Sequence, residues 1–425
     1  MKIYGLTIAI AALLLVVAYQ FVEPAPPEKI IIATGQEGGA YHYFGLKYRK
    51  LVARKGIDLE IEIRKTSGTL ENLRLLQDGE SGVDLAFVQT GVGAPQAMSD
   101  LVSLGSLYYE PLWVFYRGEE EILRLAQLRG RSMAIGAEGS GTGAVALQLL
   151  EDNGLTGRET ASLPLGGREA AVALQSGVVD VAFFVGGAEA DIVTELLASE
   201  GVRLMSFARA EAYKSRYRYL SSVVLHQGTM DLERNIPQRD VVLLAPTATL
   251  VARQDFHPAL NDLFLQIATE VHAEGGIFEH PGEFPSPSYL DFPLAREAQR
   301  YFEYGPPFLQ RYLPFWVAVL LERLKVLLLP LITLLIPMFK VVPPAYRWRV
   351  RSKIYRWYQN LSSIEARLNQ RGAVDPAELV RELERIEEEV ARMDVPLSYQ
   401  DEVYNLRLHI ELVRDKVLGE AENRI

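Results

Sequence analysis

Between Lys29 and Arg253, short β-branched or apolar runs alternate with longer stretches of helical periodicity. "KIIIAT" leads through a glycine turn into "AYHYFGLKYRKLVARKG", "LEIEIRKT" into "SGTLENLRLLQDGE", and "SMAIGA" into "EGSGTGAVALQLL". "VDLAFVQT", "PLWVFYR", "VDVAFFVGG", "VRLMSFA" and "VVLLAPTATLVAR" supply further strands. Such alternation predicts α/β layers with a largely parallel sheet, whose ligands sit at the carboxyl ends of the strands. At 425 residues the chain is too long for one ordinary core and calls for two or more domains.

Three of the strand-to-helix turns carry small, donor-rich residues. They are "TGQEGGAYHYFG" with Gly38, Gly39 and Tyr41, "TSGTLENL" with Ser67, Gly68, Thr69 and Asn72, and "GSGTGA" with Ser140, Gly141 and Thr142. A helix that opens from such a turn leaves its first N–H groups unpaired at the positive end of its dipole. The third turn is not a phosphate loop, because no lysine follows the glycines, and Gly139, Gly141 and Gly143 lack dinucleotide-fingerprint spacing. Ser140 or Thr142 is expected to cap the helix in any case. Three such openings converging on one cleft would hold a carboxylate or another anionic group without a charged clamp.

The rest of the composition removes most alternatives. A formal net charge of -10 argues against a nucleic-acid binder, which needs a clustered basic surface. With no cysteine there is no thiol nucleophile, disulfide or thiolate metal site, and the six histidines are scattered without metalloprotease spacing. No cofactor or metal is implied. Glu110 and Glu189 form a conceivable acid/base pair, but no histidine supports them and their separation is large, so the chain is read as a non-enzyme.

Two apolar segments bear on location. "MKIYGLTIAIAALLLVVAYQFV" has one early lysine and then roughly 20 mostly apolar residues, enough to cross a bilayer. It reads either as a secretory signal or as an uncleaved anchor. Tyr19, Gln20 and Phe21 make a poor cleavage site, which favours the anchor. The second segment, Leu313 to Phe339, contains Glu322, Arg323 and Lys325, and its uninterrupted apolar part is short for a span. It reads as a tilted or re-entrant span, or as an interfacial helix. Lys340, Arg347, Arg349, Arg351, Lys353 and Arg356 follow with no acidic residue among them, which by the positive-inside rule marks the cytoplasm. Beyond them the chain reads as a tail of three helices, with Asp375 and Pro376 opening the second. "GEFPSPSYLDFP" reads as a Pro-rich surface connection.

Residues 29 to 275 resemble the solute-binding receptors of tripartite ATP-independent periplasmic (TRAP) transporters, in the branch called TAXI. The likeness runs in order through "IIATGQEGGAYHYFG", "SGTLENLRLLQDGESGVDLAFVQTG", "LGSLYYEPLWVFYR", "LRGRSMAIGAEGSGTGAVALQLLEDNGL" and "LQSGVVDVAFFVGGAEADIVTELL". It implies a two-lobed periplasmic-binding-protein-like fold of type II, whose hinged lobes close over a small anionic solute, an amino acid or carboxylate. The lobe crossings are expected near Phe115 to Arg117 and near Leu243 to Ala248. The implied divisions are an anchor and linker (1–28), a solute-binding domain (29–310), a membrane segment (311–340) and a cytoplasmic tail (341–425). The first lobe takes 29–116 and 246–310, and the second 117–245. By the same resemblance Tyr41 walls the cleft, and Ser67, Gly68, Thr69 and Asn72 donate to the solute. Gln89 and Thr90 face it from a strand end, Ser140, Gly141 and Thr142 from the second lobe, and Gly186 and Gly187 from the turn after "AFFV".

Rival roles stand beside several of these. Tyr41 also suits a core aromatic, Asn72 a capping or solvated residue, and Arg168 either a carboxylate clamp or an exposed first-turn residue. The implied partners are a small anionic solute, a TRAP-type permease and the lipid bilayer of the inner membrane, with the lobes extracytoplasmic. The alternative is a transmembrane sensor that relays lobe closure to a cytoplasmic partner through the tail.

Overall fold

The computed structural model describes residues 16, 24–93, 98–155, 161–369, 375–393 and 395–422, with the backbone alone at several positions between 311 and 343, at 369 and at 420–422. Contacts group Pro24–Glu322 as one compact unit and Met1–Glu23 with Arg323–Ile425 as another. The apolar segment read as an N-terminal anchor lies, apart from residue 16, outside the described residues.

The unit Pro24–Glu322 is built on two mixed sheets. In the first, β1 (Lys29–Ala33) pairs in parallel with β2 (Glu60–Arg64) and β3 (Leu85–Gln89). Two antiparallel strands complete it, β12 (Thr247–Arg253) against β3 and then β4 (Leu101–Tyr109), for the order β2-β1-β3-β12-β4. In β3 every residue is buried, because alternate side chains feed opposite faces. Leu85 and Phe87 join one core cluster, and Ala86 and Val88 the other. Helix α1 (Ala40–Arg54) covers the first face together with α4 (Pro258–His272), and α2 (Thr69–Gln77) lies against β3.

The second sheet repeats the plan. Its strands β5 (Leu112–Arg117), β6 (Met133–Ala134), β7 (Ser162–Leu163), β8 (Val181–Val185) and β9 (Val202–Leu204) lie in the order β7-β6-β8-β5-β9. Strand β6 is parallel to β7 and β8, while β5 runs antiparallel to β8. Along β5, Leu112, Val114 and Tyr116 enter one cluster, and Trp113 and Phe115 the other. Helix α3 (Gly141–Asp152) rises from the turn after β6, and β10 (Ser221–Leu225) pairs with β11 (Val241–Ala245) beside the sheet.

The chain passes between the sheets twice, at Glu110–Pro111 and at Pro246, and the passages are bonded together, Glu110 N–H donating to Pro246 O at 2.9 Å. The first passage precedes the expected Phe115 to Arg117, which pairs with β8 and β9 inside the second sheet. The sheets are also less parallel than the alternation suggests, because the returning strands β12 and β5 enter antiparallel.

"GEFPSPSYLDFP" is more than a surface connection. Phe284 and Phe292 are buried, and bridges Ser106–Ser286 and Ser103–Leu294 lay the segment along the outer edge of β4. An otherwise unpaired sheet edge is thereby covered.

Beyond Glu322 the expected tail of helices is present. Its first member is the end of one long helix, α5 (Phe315–Asn369), followed by α6 (Pro376–Ala391) and α7 (Gln400–Glu422). The Asp375 side chain accepts from Ala377 N–H and caps α6, with Pro376 in the first turn. Ile354, Leu361 and Ile364 of α5 pack with Leu383 and Leu406 in a separate core. The segment Leu313 to Phe339 falls largely within α5, and among the described residues no helix is long and apolar enough to cross a membrane.

Candidate functional site

The openings of α1, α2 and α3 meet beside the passages between the sheets. At the opening of α1, Gly39 is the cap residue and Tyr41 lies in the first turn. The partly exposed Tyr41 ring stacks on Phe87 at 5.7 Å, and its hydroxyl donates to Glu110 Oε2 at 2.9 Å. Gly68 opens α2 with φ 127°, a conformation glycine adopts at little cost. The buried Thr69 that follows accepts the Gln89 N–H on its hydroxyl at 3.0 Å.

Gln89, at the end of β3, then reaches the other lobe. Its Nε2 donates to the Gly141 carbonyl at 3.3 Å. The approach is close enough that a Cβ on residue 141 would stand 2.4 Å from Gln89 Oε1 and push the carboxamide aside. Next along α3, the Thr142 hydroxyl accepts Val185 N–H at 3.2 Å, fixing α3 to the end of β8. Gly186 follows, its N–H donating to Pro111 O at 3.3 Å and its carbonyl accepting Trp113 Nε1 at 2.8 Å.

These contacts form one open circuit. It runs from Tyr41 through Glu110–Pro111, Gly186–Val185, Thr142–Gly141 and Gln89 to Thr69. Beside it a Cβ on Gly186 or Gly187 would meet no atom within 4 Å. The concavity bounded by Asp100, Arg253 and Asp255 shares no residue with the circuit.

The other residues singled out from the sequence spend their polar groups elsewhere. Asn72 is wholly buried, its amide donating to Thr34 O and Phe87 O at 2.5 and 2.8 Å and its Oδ1 accepting from Thr66. It ties three chain segments together inside the first lobe. The buried Thr90 bonds Thr247 at the second passage, its hydroxyl accepting Thr247 N–H at 2.9 Å. Ser67 donates both N–H and hydroxyl to Glu71, and Ser140 caps α3 by accepting Gly143 N–H. Gly38 lies in the exposed turn before α1. Arg168 forms an ion pair with Glu195, on which its guanidinium is engaged.

Glu110 is the residue that sequence reasoning undervalued. Only 5% exposed, it sits at the first passage, and among the described residues no basic side chain offsets its burial. Burial pushes its carboxyl up from 4.5 to about 7, with the Tyr41 hydrogen bond pulling the other way. The Tyr41 hydroxyl is raised well above its ordinary value, first by burial and then by the Glu110 charge. Glu189, its suggested partner, is exposed. The available signal was a lone acid between two apolar strands in "SLYYEPLWVFYR".

A second link between the lobes follows Gln89. Gly91 N–H donates to Asp291 at 2.7 Å, and the Tyr219 ring lies over Gly91. Val92 is buried in a core cluster of the second lobe. Burial pushes Asp291 up to about 6, against the pull of the Gly91 bond.

A family model described as the NMT1-like family matches residues 32–260, more than half of the chain. The chain belongs to the NMT1-like family. Its plan is an α/β, periplasmic-binding-protein-like fold with two sheets. The periplasmic aliphatic sulphonate binding protein SsuA of Escherichia coli is 20% identical, with a TM-score of 0.39 over 58% of this chain and 69% of that one. A protein of Bordetella bronchiseptica RB50 is 18% identical, with a TM-score of 0.40 over 67% and 92% of the two chains. The alkanesulfonate-binding protein SsuA from Xanthomonas axonopodis pv. citri, bound to MOPS, is 15% identical, with a TM-score of 0.36 over 58% and 80%. At these identities and TM-scores the likeness decides nothing about the site, and a reading of it stands on this NMT1-like chain's own residues.

Proposed function

We propose that the unit Pro24–Glu322 binds a small anionic organic solute reversibly, an amino acid or carboxylate, and delivers it unchanged to a TRAP-type membrane permease. The observation that carries this reading is the Gln89–Gly141 contact, by which the opening of a helix in one lobe meets a strand end of the other. Helix openings offer backbone N–H groups and a positive dipole end to an anion. Tyr41, Thr69, Gln89, Gly141, Thr142 and Gly186 would then line or brace the solute, with Gly187 beside them. Burial, by pushing Glu110 up to about 7, favours its neutral form and so reduces the negative charge an anionic solute would meet. The TAXI assignment rests on the ordered motifs and on the two-lobed plan.

We read the protein as tethered to the inner membrane by its apolar segments, lobes outside and residues beyond Lys340 in the cytoplasm. Support comes from the acid-free basic run Lys340 to Arg356 after the apolar residues Val326 to Phe339. Tethering raises the effective concentration of the lobes at a membrane partner, so weak docking suffices.

Isothermal calorimetry with amino acids, dicarboxylates and sulfonates tests the binding reading. Saturable binding of one class without turnover is expected, and Gln89→Ala should weaken it. Silence across the panel, or product formation, would contradict it. For the tether, alkaline carbonate should leave the chain in the membrane pellet, and a tag after Ile425 should resist protease in intact spheroplasts.

A further inference from the structure

Just beyond the apolar stretch, α5 has two unlike faces. Val350, Ile354, Leu361 and Ile364 are buried, the last three in the tail's core. On the other side, a shallow concavity is lined by Arg347, Trp348, Arg351, Tyr355 and Arg356 together with Pro344, Ser352 and Gln359. These residues recur at three- and four-residue steps and so form one stripe. Trp348 is 67% exposed and Tyr355 58%, large values for rings of this size. Among the described residues Arg347 and Arg356 have no ion-pair partner, and Arg351 only touches Glu402 at 3.7 Å. The exposed side of α6 is net acidic by contrast, Glu384, Glu387, Glu388 and Glu389 outnumbering Arg381 and Arg385.

We propose that this arginine and aromatic stripe of α5 is a binding surface for the headgroups of anionic phospholipids. The inference deepens the tether reading and rests on it. Guanidinium groups pair bidentately with phosphate oxygens. Indole and phenol rings favour the bilayer interface, where the ring is buried and its polar edge stays wet. A lipid surface is favoured over another polyanion because the stripe directly follows Val326 to Phe339, so the headgroup layer is the polyanion nearest to it in the chain. The acidic face of α6 would be repelled by the same surface, which orients the tail with the stripe toward the membrane.

The test uses the full chain reconstituted in phosphatidylcholine nanodiscs with increasing brominated phosphatidylglycerol. Trp348 fluorescence is read as the difference from a Trp348→Phe variant. Half-quenching is expected at a phosphatidylglycerol fraction well below that at which brominated phosphatidylcholine quenches. The triple variant Arg347→Gln, Arg351→Gln, Arg356→Gln should lose about 100-fold in phosphatidylglycerol preference, at about fivefold per basic side chain near an anionic surface. Removing the same charge from α6 and its C-cap, as Arg381→Gln, Arg385→Gln, Arg392→Gln, should change nothing. Equal quenching by the two lipids in the wild type, or an equal loss in both triple variants, overturns the proposal. So does capture of nucleic acid with no response to anionic lipid. Release of the chain by alkaline carbonate would instead remove the tether reading, a separate outcome read in a separate assay.

Discussion

Replacing Glu110 by Gln should change how stability depends on pH, by an amount set by the burial of its carboxyl. Burial holds the group's pKa at about 7 in the folded protein, against 4.5 in the unfolded chain. Between those values the folded state holds a proton that the unfolded state has lost, so rising pH favours unfolding across that window. The contribution is therefore complete below 4.5, shrinks as pH rises and is gone above about 7. At about 1.4 kcal/mol per pH unit, the wild type should lose about 2.5 kcal/mol from this group between pH 5 and pH 8. Glu110→Gln keeps an acceptor for the Tyr41 hydroxyl but has nothing to titrate. The amide hydrogens it introduces add a constant cost, which cancels when one protein is compared with itself at two pH values. Asp291 and Glu279, also raised by burial, cancel when wild type and variant are compared. For a unit of about 300 residues the difference amounts to a Tm change of about 4 °C. Differential scanning fluorimetry of both proteins from pH 5 to pH 8 supplies the measurement. Parallel Tm profiles would refute the argument and mean that Glu110 reaches water or an unrecognised cation.

Other substitutions separate binding from folding. Gln89→Ala should lower solute affinity about tenfold by calorimetry while changing stability by no more than about 1.5 kcal/mol, the net worth of one hydrogen bond. Gly141→Ala should have the same effect, because its Cβ displaces the Gln89 carboxamide, and the double variant should be no worse than either single one. Asn72→Ala should instead destabilise the first lobe by about 2 to 4 kcal/mol in chemical denaturation, because Thr34 O and Phe87 O lose a buried donor. Solute affinity of its folded fraction should stay near the wild-type value.

Much of the fold could be read where local chemistry decides it. The strand LAFVQ announces itself as a short apolar run, Ser140 caps α3 as its residue type suggests, and Asp375–Pro376 opens α6. Features set by distant partners could not be read. Strand β4 carries Ser103 and Ser106, which blur its pattern and are explained only by the segment at Ser286 and Leu294 that covers them. The first passage between sheets falls before "PLWVFYR" rather than at its end, because that run reads equally well as a strand of either sheet until its pairing with β8 is known. At the candidate site, turn chemistry drew attention to Tyr41, Thr69, Gly141 and Thr142. It did not reveal that Gln89 meets Gly141, 52 positions on, or that Asn72 is fully engaged inside the lobe. Glu110 is hidden for the same reason, since the burial that gives it significance belongs to the assembled passage between the sheets.

A mass spectrum of solute retained by the natively purified chain tests the central claim most directly. One small organic acid, near one per chain and lost on unfolding, is the expected result. Recovery of only a neutral, strongly apolar compound, or of a substrate together with its conversion product, would contradict the account.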